Sequence, residues 1–315
     1  MFDWNAAKRP IIGLAPMADY TDTPFALICK RLGGLSFEFR EMVSAEAVVR
    51  GNEKTIQMAR IETEERPVIQ QIFGSDPATI AEAARIIMEQ CQPDGIDVNM
   101  GCPVRKIVSN FDGASLIRDP ERAEAIVKAL KRAVNVPVSV KTRLGWEDDT
   151  TCLDFVPRLE AAGADLVTIH GRTKAQAYAG IANWDRVGEV ADRVSIPVLV
   201  NGDVFSGPLA VEAIRRAHAA GCLIARGALG NPWIFKEVEA SLRGEPVVPP
   251  TAQERIDAAL QHARLVVERE GEKGLIGLRK HLPLYFKGPN WSKELRSALV
   301  RIKTLAEIET ILSEI

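Results

Sequence analysis

The chain has 315 residues, of which 46% are hydrophobic and 26% are charged, and its formal net charge is −2. These values are ordinary for a soluble globular protein, and they exclude nucleic-acid binding through a global positive charge, so an RNA partner would need a local basic patch. No apolar run approaches the ~20 residues that a membrane span requires.

The targeting and redox features favour a cytoplasmic protein. The N-terminus, Met1–Trp4, shows no basic segment followed by an apolar run, so we expect no signal peptide. The cysteines are odd in number, scattered and not arranged in metal-ligand pairs: Cys29, Cys91, Cys102, Cys152 and Cys222. This pattern favours a reduced protein over a disulfide framework or a zinc site. We therefore expect a cytoplasmic monomer with no metal and no membrane partner.

Apolar, β-branched runs recur along the first three quarters of the chain, and each is typical of a buried strand. Eight such runs are present: Pro10–Ala15, Ser36–Met42, Pro67–Ile72, Gly95–Asn99, Pro137–Lys141, Leu166–His170, Pro197–Asn201 and Cys222–Ala225. The second is the weakest, because it is rich in Phe and in charge. Amphipathic helical patterns lie between the runs. Two of them begin with Asp-Pro, at Asp76 and Asp119, which suits an N-cap followed by Pro in the first turn.

Strands that alternate with helices predict parallel strands, and eight such units predict a closed (β/α)8 TIM barrel. An open doubly wound sheet is the competing fold. That fold would favour a glycine-rich fingerprint after the first strand, and the residues found there, Ala15–Asp19, do not form one.

The pattern changes after residue 243. The segment Gly244–Pro250 contains three prolines and predicts a linker. Thr251 and Glu254 then form a capping-box pattern, and helical periodicity continues to Ile315. We therefore predict a barrel domain over residues 1–243 and a small all-helical domain over residues 251–315.

The helical segment is slightly basic. Residues 246–315 contain 11 Lys or Arg and 9 Asp or Glu. Arg279, Lys280, His281 and Lys287 form a local basic cluster, with aromatic residues between and beyond them. A solvated helix face beside core aromatics explains the same pattern without RNA, and on composition alone it is the better explanation.

Polar residues end the predicted strands, where a barrel builds its active site. Asp97–Pro103 carries the most informative of these ends, because a strand runs straight into a tight turn that presents Cys102. A small buried hydrophobe is the alternative role for that cysteine. The other polar ends include Gln71, Asn99, Lys141 with Arg143, His170 with Arg172, and Asn201. One polar end is weak support, but a full set indicates a site.

Two loops suggest a phosphate site. Barrels often bind phosphate between the loops after strands seven and eight, which here contain Asn201-Gly202-Asp203 and Ala225-Arg226-Gly227. Lys141 and His170 could donate to the rim of a flat ring, Gln71 could bond its amide edge, and Pro16 with Met17 could form an apolar bed. These features favour FMN over a nicotinamide dinucleotide. A Schiff-base lysine of an aldolase-like barrel remains the alternative for Lys141.

The motifs resemble the tRNA-dihydrouridine synthase family, particularly its bacterial members. The matching segments follow the family's order over nearly the whole chain and include Ala15–Met17, Glu41–Ala45, Gln71–Pro77, Asp97–Pro103, Val140–Arg143, His170–Thr173, Asn201–Asp203, Arg226–Trp233 and Arg279–His281. The resemblance implies an FMN-binding barrel, a helical domain that helps to hold tRNA, and reduction of the C5=C6 bond of specific uridines with NADPH as the electron source.

The resemblance also implies residue roles. Cys102 is the expected catalytic acid. The expected cofactor-binding residues are Pro16, Met17, Gln71, Lys141, His170, Asn201, Gly202, Asp203, Ala225 and Arg226, and the expected substrate-binding residues are Asn99, Lys106, Arg172, Lys280 and Lys287. The chain departs from the family pattern at Asp19, Ala26 and Ala225, and at Phe111-Asp112, where a small Gly-Ala-Gly-type run is usual.

Three other functions remain open from sequence. A flavin barrel acting on a small molecule would not need the helical segment. A non-catalytic RNA-binding protein would not need Cys102, Lys141 and His170 together. A Schiff-base aldolase would bind no flavin.

Overall fold

The computed structural model describes residues 3, 4 and 6–315. The described chain forms a closed barrel of eight parallel strands in sequence order, followed by a group of helices. The strands are β1 Ile11–Leu14, β2 Phe37–Ser44, β3 Val68–Phe73, β4 Gly95–Met100, β5 Val138–Arg143, β6 Leu166–His170, β7 Val198–Asn201 and β8 Gly221–Ile224. The predicted TIM barrel is confirmed, and the open doubly wound sheet is excluded.

Helices surround the barrel and then form the C-terminal group. Those of the barrel are α1 Thr23–Leu32, α2 Ala45–Val49, α3 Glu53–Met58, α4 Pro77–Gln90, α5 Arg105–Val108, α6 Pro120–Ala133, α7 Cys152–Ala161, α8 Trp184–Ala191, α9 Gly207–Arg216 and α10 Ile234–Leu242. The C-terminal group contains α11 Ala252–Glu270, α12 Leu275–Leu278, α13 Leu282–Tyr285, α14 Lys293–Leu299 and α15 Leu305–Ser313. Short 3-10 helices cover Thr63–Glu65, Gly113–Arg118, Arg226–Ala228 and Glu272–Gly274. Among the described residues, no helix has the length and apolar composition of a membrane span.

The predicted helix starts are confirmed at three positions. Asp76 and Asp119 cap α4 and α6, and each side chain accepts a hydrogen bond from the backbone three residues later. Thr251 and Glu254 form the predicted reciprocal capping box at the start of α11. These caps bond the amide groups that a helix N-terminus leaves without partners.

Six of the eight strands end at a residue other than the predicted one, and the three differences that bear on the site are those of β2, β5 and β8. β2 continues to Ser44 through an irregularity between Arg40 and Val43, so Glu41 lies inside the strand and not at its end. β5 continues past Lys141 to Arg143, and β8 ends one residue before Ala225. Ladder pairing with the neighbouring strand decides these ends, and a single strand's apolar run does not contain that information.

Apolar residues and polar residues fill different levels of the barrel interior. Near the N-terminal end of the barrel, the Trp4 ring packs edge-on against Phe37 with centroids 4.9 Å apart, and Phe39 packs against both rings. Further along the strands the interior positions become polar, as at Gln71, Asp97, Ser139 and Thr168. Because side chains alternate along a strand, this face leads directly to the polar strand ends.

The helical group packs against α1 of the barrel. Leu27 and Ile28 of α1 contact Leu265 of α11, and Arg269 forms an ion pair with Glu62. The predicted linker has no regular secondary structure between residues 245 and 250. The two parts therefore share a packed seam as well as the linker.

Two buried histidines lie in that seam. His262 Nδ1 is 3.1 Å from the Tyr285 hydroxyl, and the rings of His262 and His281 have centroids 5.0 Å apart. Phe25 of α1 packs against both rings. Burial lowers the pKa of His262 to about 3, and burial together with His262 lowers the pKa of His281 well below its usual value. Both rings are therefore neutral in the folded protein.

The seam predicts a stability that falls in acid. Between about pH 6.5 and pH 3 the unfolded chain binds protons that the folded seam excludes, so the free energy of unfolding should fall as the pH is lowered through this window. Each such histidine contributes a slope of up to ~1.4 kcal/mol per pH unit. Chemical denaturation at several pH values should show a shallower slope for His262→Gln.

His218→Gln is the control, because His218 lies at the surface, outside the seam. If the free energy of unfolding of His262→Gln depended on pH as steeply as that of the parent, His262 would not be the group that destabilises the seam in acid.

Candidate active site

The strand ends surround a cavity of about 480 Å³ at the C-terminal mouth of the barrel. Its walls contain the predicted catalytic residue, all ten predicted cofactor-binding residues and one predicted substrate-binding residue: Pro16, Met17, Gln71, Asn99, Cys102, Lys141, His170, Asn201, Gly202, Asp203, Ala225 and Arg226. The fold thus brings together residues that are up to 210 positions apart in the sequence.

Strand register explains why these residues meet. Asn99 of β4 pairs with Lys141 of β5, and His170 of β6 pairs with Asn201 of β7. The Lys141 ammonium donates to Asn201 Oδ1 at 3.0 Å across the barrel mouth. Asn201 Nδ2 donates to the Leu223 carbonyl at 2.8 Å, which fixes the orientation of its amide. The floor of the cavity is therefore a set of oriented polar groups.

A chain of hydrogen bonds runs from the barrel interior to the turn that carries Cys102. Asp97 accepts from Ser139 and from Gln71, each at 2.6 Å. The side-chain oxygen of Gln71, Oε1, accepts a hydrogen bond from Asn99 Nδ2 at 2.8 Å. Asn99 Oδ1 then accepts from the backbone N–H of Cys102 at 2.9 Å. Asn99 Oδ1 also accepts from the backbone N–H of Gly101 at 3.1 Å, so two bonds from one side chain fix the position of the cysteine turn.

Burial sets the protonation of the site. It raises the pKa of the Cys102 thiol, against weaker lowering by the Val104 backbone N–H and by Arg143 and Lys141. Burial and the Arg143 charge lower the pKa of Lys141 to about 8, and burial together with Lys141 lowers the pKa of His170 well below its usual value. At neutral pH the site therefore contains a protonated thiol, a cationic lysine and a neutral imidazole.

The loops after β7 and β8 border the cavity with backbone atoms, because each contains a glycine there. Gly202 has a φ of +109°, and a Cβ there would lie 2.8 Å from the His170 ring. Gly227 lies so close to the carbonyl of Val204 that it has no room for a side chain. The Arg226 guanidinium lies over the Tyr178 ring, 4.8 Å from its centroid. The two loops thus offer backbone groups and a cation to a ligand in the cavity.

Four of the predicted substrate-binding residues do not line the cavity. Arg172 is buried behind its wall, where its guanidinium donates to the Ala179 and Gly180 carbonyls and to both oxygens of Asp203. Lys106 is exposed on α5, just beyond Cys102. Lys280 places its ammonium 5.2 Å from the centroid of the Tyr20 ring, which lines the cavity, whereas Lys287 is exposed outside it.

The four basic residues Arg279, Lys280, His281 and Lys287 are close in sequence, but they do not form one solvated face. His281 is 2% exposed, and Arg279 points inward, where it donates twice to the Ile302 carbonyl. Tyr285 and Phe286 belong to the core of the helical group. A sequence run on short helices does not show which side chains point inward, and here only the lysines remain available to a partner.

Several cavity residues were absent from the predicted site: Tyr20, Met42, Arg143, Tyr178 and Phe205. Arg143 was identified as a polar strand end but received no role, although its guanidinium donates to Gly101, Thr173 and Ala177 carbonyls beside the cysteine turn. Tyr178 and Phe205 come from loops, and no periodic pattern marks a loop residue that folds over a cavity.

Comparisons with known proteins identify the family. The profile described as dihydrouridine synthase (Dus) matches residues 13–315. A probable tRNA-dihydrouridine synthase 1 of Synechocystis sp. is 38% identical over 303 residues, which cover 95% of this chain and 84% of that protein. A probable tRNA-dihydrouridine synthase of Mycobacterium leprae is 35% identical and covers 96% of this chain and 87% of that protein.

Solved structures share the barrel at much lower identity. Histamine dehydrogenase from Rhizobium sp. 4-9 aligns with a TM-score of 0.58 at 13% identity, covering 82% of this chain and 49% of that one. A 2-naphthoyl-CoA reductase in complex with 2-naphthoyl-CoA aligns with a TM-score of 0.56, also at 13% identity, covering 75% and 50% of the respective chains. At this identity the likeness concerns the fold.

The close approach at Gly202 predicts that Gly202→Ala displaces His170. The added methyl group would lie 2.8 Å from the imidazole ring. The backbone would also keep a positive φ, which alanine disfavours. Overpacking typically costs 1–3 kcal/mol, so the free energy of unfolding should fall by about that much more than in a control. Gly244→Ala is the matched control, because Gly244 has a φ of +68° with open space around it. Equal losses in the two variants would show that the His170 contact is not tight.

Proposed function

The chain belongs to the dihydrouridine synthase family and reduces uridine in tRNA, and from this premise we propose that it uses bound FMN, with NADPH as the reductant. The observation that carries the proposal is the position of Cys102. Its protonated thiol borders a cavity whose other walls contain Lys141, His170 and the two glycine-containing loops.

The cavity residues fit a phosphorylated, flat, polar-edged cofactor. Gly202 and Gly227 leave the backbone open where a Cβ would block approach, and Arg226 adds a cation beside them, which suits a phosphate. Lys141 and His170 would face the ring's polar rim, with Gln71 at its amide edge. Met17 and Pro16 would form the apolar surface beneath it. The other cofactor contacts come from Asn201, Asp203 and Ala225.

When bound, reduced flavin supplies the hydride that uracil accepts at C6. The chain must then provide a proton at C5, and we assign that proton to the Cys102 thiol, because burial keeps it protonated at neutral pH. Lys141 would place its positive charge beside the flavin rim or the uracil carbonyls and would favour the negative charge that develops there. Asn99 lies beside Cys102 and would hold the edge of the base while its carbonyl oxygen fixes the turn.

The remaining predicted residues receive roles from their positions. Lys106 is exposed on α5 after Cys102, and Lys280 lies beside Tyr20 of the cavity wall; with Lys287 they would contact tRNA phosphates. Because the Arg172 guanidinium is bonded within the wall, we assign it to positioning His170 and Asp203 and not to direct contact with RNA. The barrel, residues 1–243, would bind FMN, and the helical domain, residues 251–315, would hold tRNA. We place the protein in the cytoplasm as a monomer, consistent with its five free cysteines.

Substitution of the thiol separates the two halves of the reaction. Cys102→Ala should fold, purify yellow and be reduced by NADPH at the rate of the parent, but form dihydrouridine at least ~100-fold more slowly, because general acid catalysis typically contributes 10²–10⁴. Absorbance of the flavin and mass spectrometry of the tRNA measure the two halves.

Cys222→Ala is the control, since that thiol is fully buried in the barrel wall and outside the cavity. Product formation near the parent rate in Cys102→Ala would refute the acid assignment. Colourless parent protein that forms a reducible Schiff base at Lys141 would favour an aldolase.

A second substitution tests the helical domain. Lys280→Glu with Lys287→Glu should weaken tRNA binding and reduce the slope of log affinity against log salt by roughly 1–2. The reason is that binding with fewer phosphate contacts releases fewer counterions from the RNA. Flavin content should stay unchanged. Lys54→Glu with Lys128→Glu makes the same charge change on barrel helices. If both double variants show the same slope, the effect is one of net charge and the two lysines do not contact tRNA.

A further inference from the structure

One exposed aromatic side chain stands beside the catalytic turn in an unfavourable backbone conformation. Phe111 is 71% exposed and has a φ of +62°. A left-handed φ is costly for a bulky residue, and exposure of the ring returns no burial energy. This is also the position at which the chain departs from the small-residue run usual in its family. Neither local preference nor packing accounts for a phenylalanine here.

The segment that carries Phe111 is anchored on both sides of it. We name residues 102–113 the cysteine loop. Ile107 and Asp112 are buried, and Asp112 N donates to the Ile107 carbonyl at 3.3 Å. Ser75 from the loop after β3 donates to the Asn110 carbonyl at 3.3 Å. The ring therefore projects from a fixed scaffold and not from a free tip.

The same anchoring keeps Phe111 near the reacting thiol. Ala114 N donates to the Cys102 carbonyl at 3.1 Å, and a Cβ on Gly113 would lie 2.9 Å from that carbonyl oxygen. Phe111 precedes Gly113 by two residues, a span of at most about 7 Å. A ligand group that reaches Cys102 would thus bring its immediate neighbours close to the ring.

The charge of the cysteine loop matches a nucleic acid. Arg105 and Lys106 are exposed on it, and its one carboxylate, that of Asp112, is buried. Cations beside an exposed aromatic ring form the usual combination for unpaired nucleotides, in which bases stack on the ring and phosphates meet the cations. An apolar protein partner would not require the two cations, so we favour RNA.

We propose that Phe111 is a stacking platform for the base adjacent to the target uridine, and that Arg105 and Lys106 contact the flanking phosphates. This inference rests on the proposed function, because it takes tRNA as the molecule that reaches Cys102. Removal of the uridine from its stack exposes the face of the neighbouring base, and the Phe111 ring would cover that face and hold the RNA open.

The test replaces the ring while relieving the backbone. Phe111→Gly tolerates the positive φ, so its melting temperature should equal or exceed that of the parent. Removal of an aromatic side chain on which a base stacks typically weakens nucleic-acid binding by about 5- to 100-fold. The KM for a pool of unmodified tRNA should therefore rise by about ten-fold. The kcat at saturating tRNA and the rate of flavin reduction by NADPH should stay within two-fold.

Three further variants separate stacking from other causes. Phe111→Trp should restore the KM to within about three-fold, whereas Phe111→Leu should not, because a leucine is apolar but cannot stack on a base. Arg105→Ala with Lys106→Ala should lower the salt slope of binding, whereas Phe111→Gly should leave it unchanged, because stacking releases no phosphate counterions.

The outcomes distinguish this inference from the function beneath it. If the parent forms no dihydrouridine in any tRNA, the proposed function fails. If the parent is active and Phe111→Gly keeps its KM within two-fold, or if Leu restores binding as well as Trp does, the stacking platform alone is overturned. Val248→Gly, which removes an 81% exposed apolar side chain from the linker, controls for a general effect of surface hydrophobicity.

Discussion

The hydrogen-bond chain from Asp97 to the backbone of Cys102 is the constraint on which the site depends. Its first member lies inside the barrel, fully buried, where burial raises its pKa to about 6. Its last bond fixes the turn that presents the thiol. Since Gln71 and Asn99 each donate at one end and accept at the other, one misplaced amide would leave a buried group without a partner, which is costly. The chemistry at the barrel mouth is thus coupled to polar packing deeper in the barrel.

The helical group is joined to this scaffold by apolar contacts, by neutral aromatic and imidazole rings, and by the ion pair between Arg269 and Glu62. The seam between α1 and α11 contains leucines, a phenylalanine and two histidines that burial keeps neutral. Because the ion pair across this seam joins Arg269 to Glu62, Lys280 and Lys287 take no part in it and are left for another partner. Lys280 shows the arrangement, because it directly precedes His281 of the seam yet directs its ammonium to Tyr20 at the cavity.

The fold and the floor of the site were accessible from sequence because both follow from periodicity. Alternation along β4 and β5 puts Asp97, Asn99, Ser139 and Lys141 on one face, and parallel pairing then aligns them. The direction of side chains in irregular segments was not accessible. Arg172 looked available, but it is bonded inside the wall, and His281 looked basic, but it is buried. Tyr178 and Phe205 reach the cavity from loops, where position depends on contacts distant in sequence.

The partial burial of Cys102 has a consequence for the durability of the enzyme. Thiols are oxidised and alkylated as thiolates, and a raised pKa keeps the thiolate population small. The other four cysteines are buried, so Cys102 is the thiol most accessible to peroxide or electrophiles. The burial that would retain the proton for the transfer proposed above therefore also makes the most accessible sulfur a slow nucleophile. A protonated thiol of this kind would resist oxidation and alkylation while the protein is exposed to air.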